Sequence, residues 1–147
     1  MSSELITITN PKSPIAEAYR TLRTNIQFSN VDEDLKVICV TSSGPSEGKT
    51  TTSCNLAETF AQSGKRVLLI DGDLRKPRVH KVFKISGTKG LTNLLAGQLS
   101  LEEVTSYVGS DLTVIPCGPI PPNPSELIAS NRMKELLTNL RQQYDVV

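Results

Sequence analysis

Short apolar runs alternate with amphipathic stretches along the 147 residues of the chain. Runs rich in β-branched residues predict strands buried on both faces, at 35–43, 65–71 and 111–118, and a fourth run begins at 144–147. Helical periodicity and end signals predict helices at 13–29, 44–64, 91–97, 100–108 and 123–144. The alternation predicts an α/β fold, with a doubly wound and mainly parallel sheet between two layers of helices.

The first predicted helix has an apolar and a charged side. Its apolar positions are Ile15, Ala18, Leu22 and Ile26. We expect that side to pack against the core. Glu17, Arg20 and Arg23 span an arc of about 120° on the other side. These charges suit a contact with a neighbouring subunit, or local pairing on a solvated face.

Composition and charge are those of an ordinary soluble domain, with 37% hydrophobic and 21% charged residues. The net charge of +1 gives no electrostatic argument for binding nucleic acid or membranes, so we expect no nucleic-acid partner. No apolar run approaches the roughly 20 residues that span a bilayer, and the first residues lack the pattern of a signal peptide. We expect a cytosolic protein in which Cys39, Cys54 and Cys117 are reduced thiols.

A phosphate-binding loop is predicted between the first strand and the following helix. Gly48, Lys49 and Thr50 match the end of G-x-x-x-x-G-K-[ST], although Ser43 stands where the first glycine belongs. Such a loop points backbone N–H groups at phosphate oxygens, places the lysine on the β/γ-phosphates and offers the threonine hydroxyl to Mg²⁺. The residues expected to bind ATP are Gly44, Pro45, Ser46, Glu47, Gly48, Lys49, Thr50 and Thr51.

Two aspartates follow the second predicted strand. If the backbone stays extended through Gly72, Asp71 and Asp73 project on one side, at a strand tip beside the phosphate loop. One carboxylate can then hold Mg²⁺ while the other acts as a general base, although Asp-Gly-Asp can also form a simple turn. A basic cluster follows at Arg75, Lys76, Arg78 and Lys81. It could offset transition-state charge, contact an acidic partner or simply face solvent.

Three segments, at 41–57, 67–78 and 117–128, together resemble the bacterial tyrosine kinases of the capsular and exopolysaccharide systems. Asp71, Asp73 and Arg75 resemble the family's Walker A′ pattern, D-x-D-x-R after an apolar run. Glu17, Arg20 and Arg23 resemble the E-x-x-R-x-x-R motif that the family uses for subunit contacts in a ring.

The resemblance implies a P-loop fold and an autophosphorylating protein-tyrosine kinase that uses ATP and Mg²⁺ and controls polysaccharide synthesis or export. It implies that Lys49 holds phosphate, that Thr50 and Asp73 hold the metal, and that Asp71 is the base, with the reverse assignment of the two aspartates left open. It also implies a ring-like homo-oligomer, further protein substrates, and a transmembrane adaptor that brings the cytoplasmic chain to the inner face of the membrane.

Two elements of the family are missing from the sequence. No aspartate follows the apolar run at 144–147, where a Walker B motif would begin, and Tyr19, Tyr107 and Tyr144 do not form a tyrosine cluster. We expect residues 1–147 to be a single kinase domain that is incomplete at its C-terminus, with the oligomerisation helix within residues 1–30. We expect little kinase activity from these residues alone.

Two alternative functions remain. Partitioning and division-site ATPases carry a second lysine five residues before the P-loop lysine, and Gly44 at that position argues against them. The missing Walker B motif leaves open a non-catalytic protein that binds ATP and a membrane adaptor without transferring phosphate.

Overall fold

A three-stranded sheet forms the centre of the computed structural model, which describes residues 5–44, 48–109 and 111–147. Its strands are β1 (Val67–Ile70), β2 (Ser106–Tyr107) and β3 (Leu112–Ile115), in the order β1-β3-β2. β1 runs parallel to β3, with Val67 opposite Leu112, and β2 runs antiparallel to β3. The carboxyl ends of β1 and β3 therefore meet at one edge of the sheet.

Helices cover both faces of this sheet. They are α1 (Ile6–Thr9), α2 (Pro14–Gln27), α3 (Lys49–Gln62), α4 (Val79–Val82), α5 (Leu91–Leu95), α6 (Leu101–Val104), α7 (Pro124–Ile128) and α8 (Asn131–Gln143). Strand side chains alternate between two hydrophobic cores. Val67 packs with Phe60 of α3 in one core, and Leu68 packs with Leu91 of α5 and Leu140 of α8 in the other. The predicted α/β fold is confirmed.

The first predicted strand, at 35–43, is not a regular strand in the structure. Ile38 N–H donates to the Val147 carbonyl at 2.9 Å, and Val147 N–H donates to the Lys36 carbonyl at 2.6 Å. Val146 in turn pairs in parallel with Val67 of β1. The segments 36–38 and 146–147 thus extend the hydrogen-bonded array beyond β1, but one pair of bonds is too few to make 35–43 a regular ladder strand.

The helix predicted at 100–108 is shorter than expected. Ser100 and Glu103 form a capping box, with Ser100 N–H donating to Glu103 Oε2 at 2.7 Å. The helix ends at Val104, and Tyr107 pairs with Thr113 of β3. The sheet edge therefore overrides the helical pattern of the second half. Within the ranges that the structure describes, no helix is long and apolar enough to cross a membrane.

The expected orientation of α2 is wrong for Ile15 and Leu22, although Ile26 packs half-buried against the core as expected. Ile15 is 60% exposed and Leu22 38% exposed, whereas Ala16 is fully buried. The helix rests on α3 through a face that contains Ala16 and Arg23, because the small alanine permits a close approach and the arginine donates a hydrogen bond to α3. The apolar side that carries Ile15 and Leu22 consequently faces outward.

Candidate nucleotide-binding site

A glycine in the left-handed backbone conformation precedes the helix that follows the predicted phosphate loop. Gly48 has φ +77° and is the N-cap of α3, and an L side chain is strained at this φ. Lys49 and Thr50 are the first two residues of the helix, where backbone N–H groups lack intrahelical acceptors and favour an anion. Gly44 is half-buried and Thr51 is exposed. Pro45, Ser46 and Glu47, also predicted to bind nucleotide, lie outside the described residues.

Asp73 forms an ion pair with the phosphate-loop lysine. Lys49 Nζ lies 3.2 Å from Asp73 Oδ2, and both side chains are partly exposed. Asp73 Oδ1 accepts hydrogen bonds from the backbone N–H groups of Lys76, at 3.0 Å, and Arg75, at 3.3 Å. The Lys76 N–H bond, together with Lys49 and the Arg75 N–H, lowers the pKa of Asp73, so the carboxyl group is ionised at neutral pH.

Asp71 lies deeper than Asp73 and organises the loop that follows β1. Its Oδ1 accepts the Asp73 N–H at 3.0 Å, and its Oδ2 accepts the Arg78 and Val79 N–H groups at 3.2 and 3.1 Å. Only 4% of the residue is exposed, and this burial raises the pKa of Asp71 although the three N–H bonds oppose the rise. The backbone turns after Asp71, so the two carboxylates have different environments rather than equivalent ones.

One open cavity of about 440 Å³ connects the predicted site residues. Lys49, Thr50, Asp71 and Asp73 all line it, and the rest of the lining is mostly apolar and comes chiefly from β1, residues 37–40, α3, α8 and the last two residues. The Thr50 hydroxyl and the Asp73 carboxylate are hard oxygen donors, and Mg²⁺ bound to nucleotides uses few protein ligands beside phosphate and water. The donors present therefore fit Mg²⁺. Among the described residues, no group of three or more His, Cys, Asp or Glu could hold a metal by itself.

Sequence analysis named Cys117 only as a reduced thiol and missed that it follows β3 at the same edge of the sheet, near the two aspartates. It is 1% exposed, and burial, followed by the charges of Asp71 and Asp73, raises its pKa to about 11. The thiol is therefore protonated at neutral pH. The available signal was positional, because β1 and β3 were both predicted to end near this edge.

The charged motif of α2 lies apart from this cavity. Glu17 and Arg20 pair with each other at 2.9 Å, and Arg20 also donates to the Pro11 carbonyl. Arg23 Nη1 donates to the Thr59 carbonyl of α3 at 2.9 Å. Glu17 is the most accessible of the three motif residues, with 67% of its side chain exposed against 26% for Arg20 and a half-buried Arg23.

A lysine-bearing turn that enters a helix beside the carboxyl end of a parallel strand defines a P-loop type of nucleotide-binding domain. Residues 35–147 match the family model described as AAA domain, and the chain belongs to that family.

Within this class the chain is similar to bacterial tyrosine kinases. It is 50% identical to tyrosine-protein kinase YwqD of Bacillus subtilis over 100% of this chain and 62% of YwqD. The kinase domain of Escherichia coli tyrosine kinase Etk superposes with a TM-score of 0.92 at 38% identity, covering 97% of this chain and 56% of that domain. The chimerical protein CapA2B2 superposes with a TM-score of 0.93 at 41% identity, covering 97% and 63% of the two chains. The resemblance to the bacterial tyrosine kinases is confirmed.

Proposed function

We propose that the protein is an autophosphorylating, ATP- and Mg²⁺-dependent protein-tyrosine kinase that regulates capsular or exopolysaccharide synthesis. The supporting observation is the 3.2 Å pair between Lys49, at the start of α3, and Asp73, after β1. The pair supports the proposal because a lysine suited to phosphate and a carboxylate suited to a metal lie within reach of one ligand. The relatives YwqD and Etk carry the name tyrosine kinase, and the chain spans less than two thirds of YwqD's length.

Each residue has a separate role in this proposal. Lys49 and the N-terminus of α3, with the loop from 44 to 51, hold the phosphates. Thr50 and Asp73 hold Mg²⁺, which neutralises charge that develops on the transferred phosphoryl group. Asp71 accepts the tyrosyl proton. A carboxylate has about four lone-pair sites, and three N–H bonds leave Asp71 one free site at the cavity wall.

We further propose that α2 joins copies of the chain into a ring, with Glu17 and Arg20 as polar contacts. Glu17 is the most exposed of the three motif residues, which suits a polar contact with a neighbouring subunit. Arg23 would then act mainly by fixing α2 on α3. The cytoplasmic location, the membrane adaptor and substrates other than the protein itself are parts of the same proposal, which the family resemblance supports.

Phosphotyrosine formation tests the proposal. The chain, and the product of its complete reading frame, would be incubated with Mg-ATP and probed for phosphotyrosine, with phosphate release measured in parallel. We expect Lys49→Met to abolish the signal and Lys134→Met, an exposed lysine of α8, to leave it unchanged.

The alternative functions give other results. Phosphate release without phosphotyrosine would indicate an ATPase of the partitioning kind. ATP binding with neither product would indicate a nucleotide-sensing partner, and full phosphorylation by the Lys49 variant would refute the assigned site.

A further inference from the structure

Four exposed cations follow the two aspartates of the candidate site along the chain. We call them the basic rim: Arg75, Lys76, Arg78 and Lys81. The backbone N–H groups of Arg75 and Lys76 bond to Asp73, and that of Arg78 bonds to Asp71. Lys81 follows in α4, one helical turn beyond Arg78, whose carbonyl accepts the Lys81 N–H at 3.0 Å. The rim cations therefore start directly from the segment that holds the two carboxylates.

The charge of the basic rim is concentrated rather than balanced. The whole chain is nearly neutral, with 16 Lys and Arg against 15 Asp and Glu, yet residues 74–101 include Lys and Arg but no Asp or Glu. Among the described ion pairs, none involves a side chain of the basic rim. A positive patch of this kind next to a reaction centre attracts an acidic ligand.

The backbone that carries the basic rim is fixed by packing. Leu74, Val79 and Phe83 are at most 4% exposed and anchor the segment on both cores. Asp71 ties the start of α4 back to the end of β1 through Arg78 and Val79. A ligand that binds these cations consequently meets a preorganised backbone, which lowers the entropy cost of binding.

We propose that the basic rim binds acidic residues that flank the acceptor tyrosine of a protein substrate, an inference that rests on the proposed kinase function. An extended peptide advances about 3.3 Å per residue. Carboxylates a few residues from a tyrosine can therefore reach the rim while the hydroxyl lies beside Asp71 and Asp73. A peptide fits better than nucleic acid, because those two carboxylates would repel a continuous phosphate backbone but not a neutral tyrosine ring.

Peptide binding measured by fluorescence anisotropy tests this inference without turnover. The probes are a tyrosine peptide with glutamates on both flanks and the same peptide with glutamines. The double variant Lys76→Glu/Lys81→Glu reverses two rim charges, and Lys134→Glu/Arg141→Glu reverses two exposed charges on α8 as a matched control. Arg75 is left intact because it belongs to the Walker A′ pattern.

We expect the acidic peptide to bind more tightly than the neutral one, and added salt to remove the difference. The rim variant should bind the acidic peptide about tenfold more weakly, and the control should bind like the parent chain. Equal binding of both peptides, or equal losses in both variants, would overturn the inference. So would phosphatidylserine vesicles or a short DNA duplex that bound the rim as tightly as the peptide.

Fluorescent ATP titrations of the same variants separate this inference from the proposed function. Loss of acidic-peptide binding together with normal ATP binding supports the basic rim, even if no phosphotyrosine forms and the kinase proposal fails. Phosphotyrosine formation on both peptides with equal KM supports the kinase proposal and rejects the rim.

Discussion

Replacing Asp73 by asparagine removes the partner of Lys49 while keeping the shape of the side chain. In the structure Lys49 Nζ is engaged at 3.2 Å by Asp73 Oδ2. A phosphate that arrives without a metal must take the lysine away from this carboxylate, and it also meets the negative charge. With Mg²⁺ present, the loss of the Lys49–Asp73 pair and the repulsion between Asp73 and phosphate would both be offset, because the carboxylate can bind the metal once the lysine has moved to phosphate. We therefore expect Asp73→Asn to have opposite effects on nucleotide binding with and without Mg²⁺.

The size of the effect without Mg²⁺ follows from the exposure of the pair. The Lys49 and Asp73 side chains are 33% and 27% exposed, so solvent screens them and the pair is worth about 0.5–1 kcal/mol. Releasing the lysine should tighten metal-free ADP binding about two- to fivefold. With Mg²⁺ present the variant lacks a metal ligand, and we expect binding about tenfold weaker than in the parent chain.

Titrations with a fluorescent ADP analogue, in EDTA and in Mg²⁺, measure both numbers. Asp145→Asn is the matched control, since it removes another 3.2 Å pair, with Arg66, outside the residues that line the cavity. Weaker binding by Asp73→Asn in EDTA would refute the reasoning, because the carboxylate would then assist the empty loop rather than compete with phosphate.

The difference in metal-free ADP binding between the parent chain and Asp73→Asn should depend on pH with a defined sign. Hydrogen bonds from the Lys76 N–H and the other donors lower the pKa of Asp73 in the folded protein. The paired carboxylate therefore contributes stability above the ordinary aspartate pKa and loses it as the pH falls through the lowered value. The EDTA difference between parent and variant should be full at pH 7 and shrink in acid.

Three further predictions concern stability and reactivity. Asp71→Asn turns an amide donor toward backbone N–H groups and should lower the free energy of unfolding by about 1–3 kcal/mol in urea titrations; an unchanged midpoint would contradict a structural role for this carboxylate. Arg23→Met keeps the packed stem but loses the bond to the Thr59 carbonyl, and should cost about 1 kcal/mol in the same assay, whereas no loss would mean that α2 is held by other contacts. A thiol reagent at pH 8 should modify exposed Cys39 in the native protein and Cys117, with a pKa of about 11, only after unfolding; fast native labelling of Cys117 would show that the core around this buried thiol opens.

The sequence was sufficient for the parts of the site that depend on local chemistry. A lysine and a threonine after glycine at a strand-to-helix turn have few structural alternatives, and the structure places Lys49 and Thr50 at the start of α3. The capping box at Ser100 also depends on local sequence, because it is formed by two residues that are three positions apart.

Tertiary packing determines two features that the sequence pattern did not predict, the orientation of α2 and the lack of a regular strand at 35–43. α2 has two candidate faces, an apolar one with Ile15, Leu22 and Ile26 and an adjacent one with Ala16 and Arg23, and both recur at helical spacing. Their hydrophobicity favours the first face, but α3 offers the Thr59 carbonyl near its C-terminal end to Arg23, and the small Ala16 allows close contact. Residues 35–43 likewise have a strand-like sequence, but in the described part of the chain their ladder with 146–147 is one pair of backbone hydrogen bonds, with Val147. A strand needs a partner, and its own pattern does not reveal one.

Asp71 and Asp73 lie two residues apart, yet their environments suit them to two different chemical roles. The turn after Asp71 buries that carboxylate and raises its pKa, while Asp73 remains near solvent beside Lys49 and has a lowered pKa. A group that stays anionic suits a metal, and a group with a higher proton affinity suits a base. Environments that push two pKa values apart in this way favour Asp73 as the ligand and Asp71 as the proton acceptor. The exchange of Lys49 from Asp73 to phosphate would then prepare the metal site at the moment that nucleotide arrives.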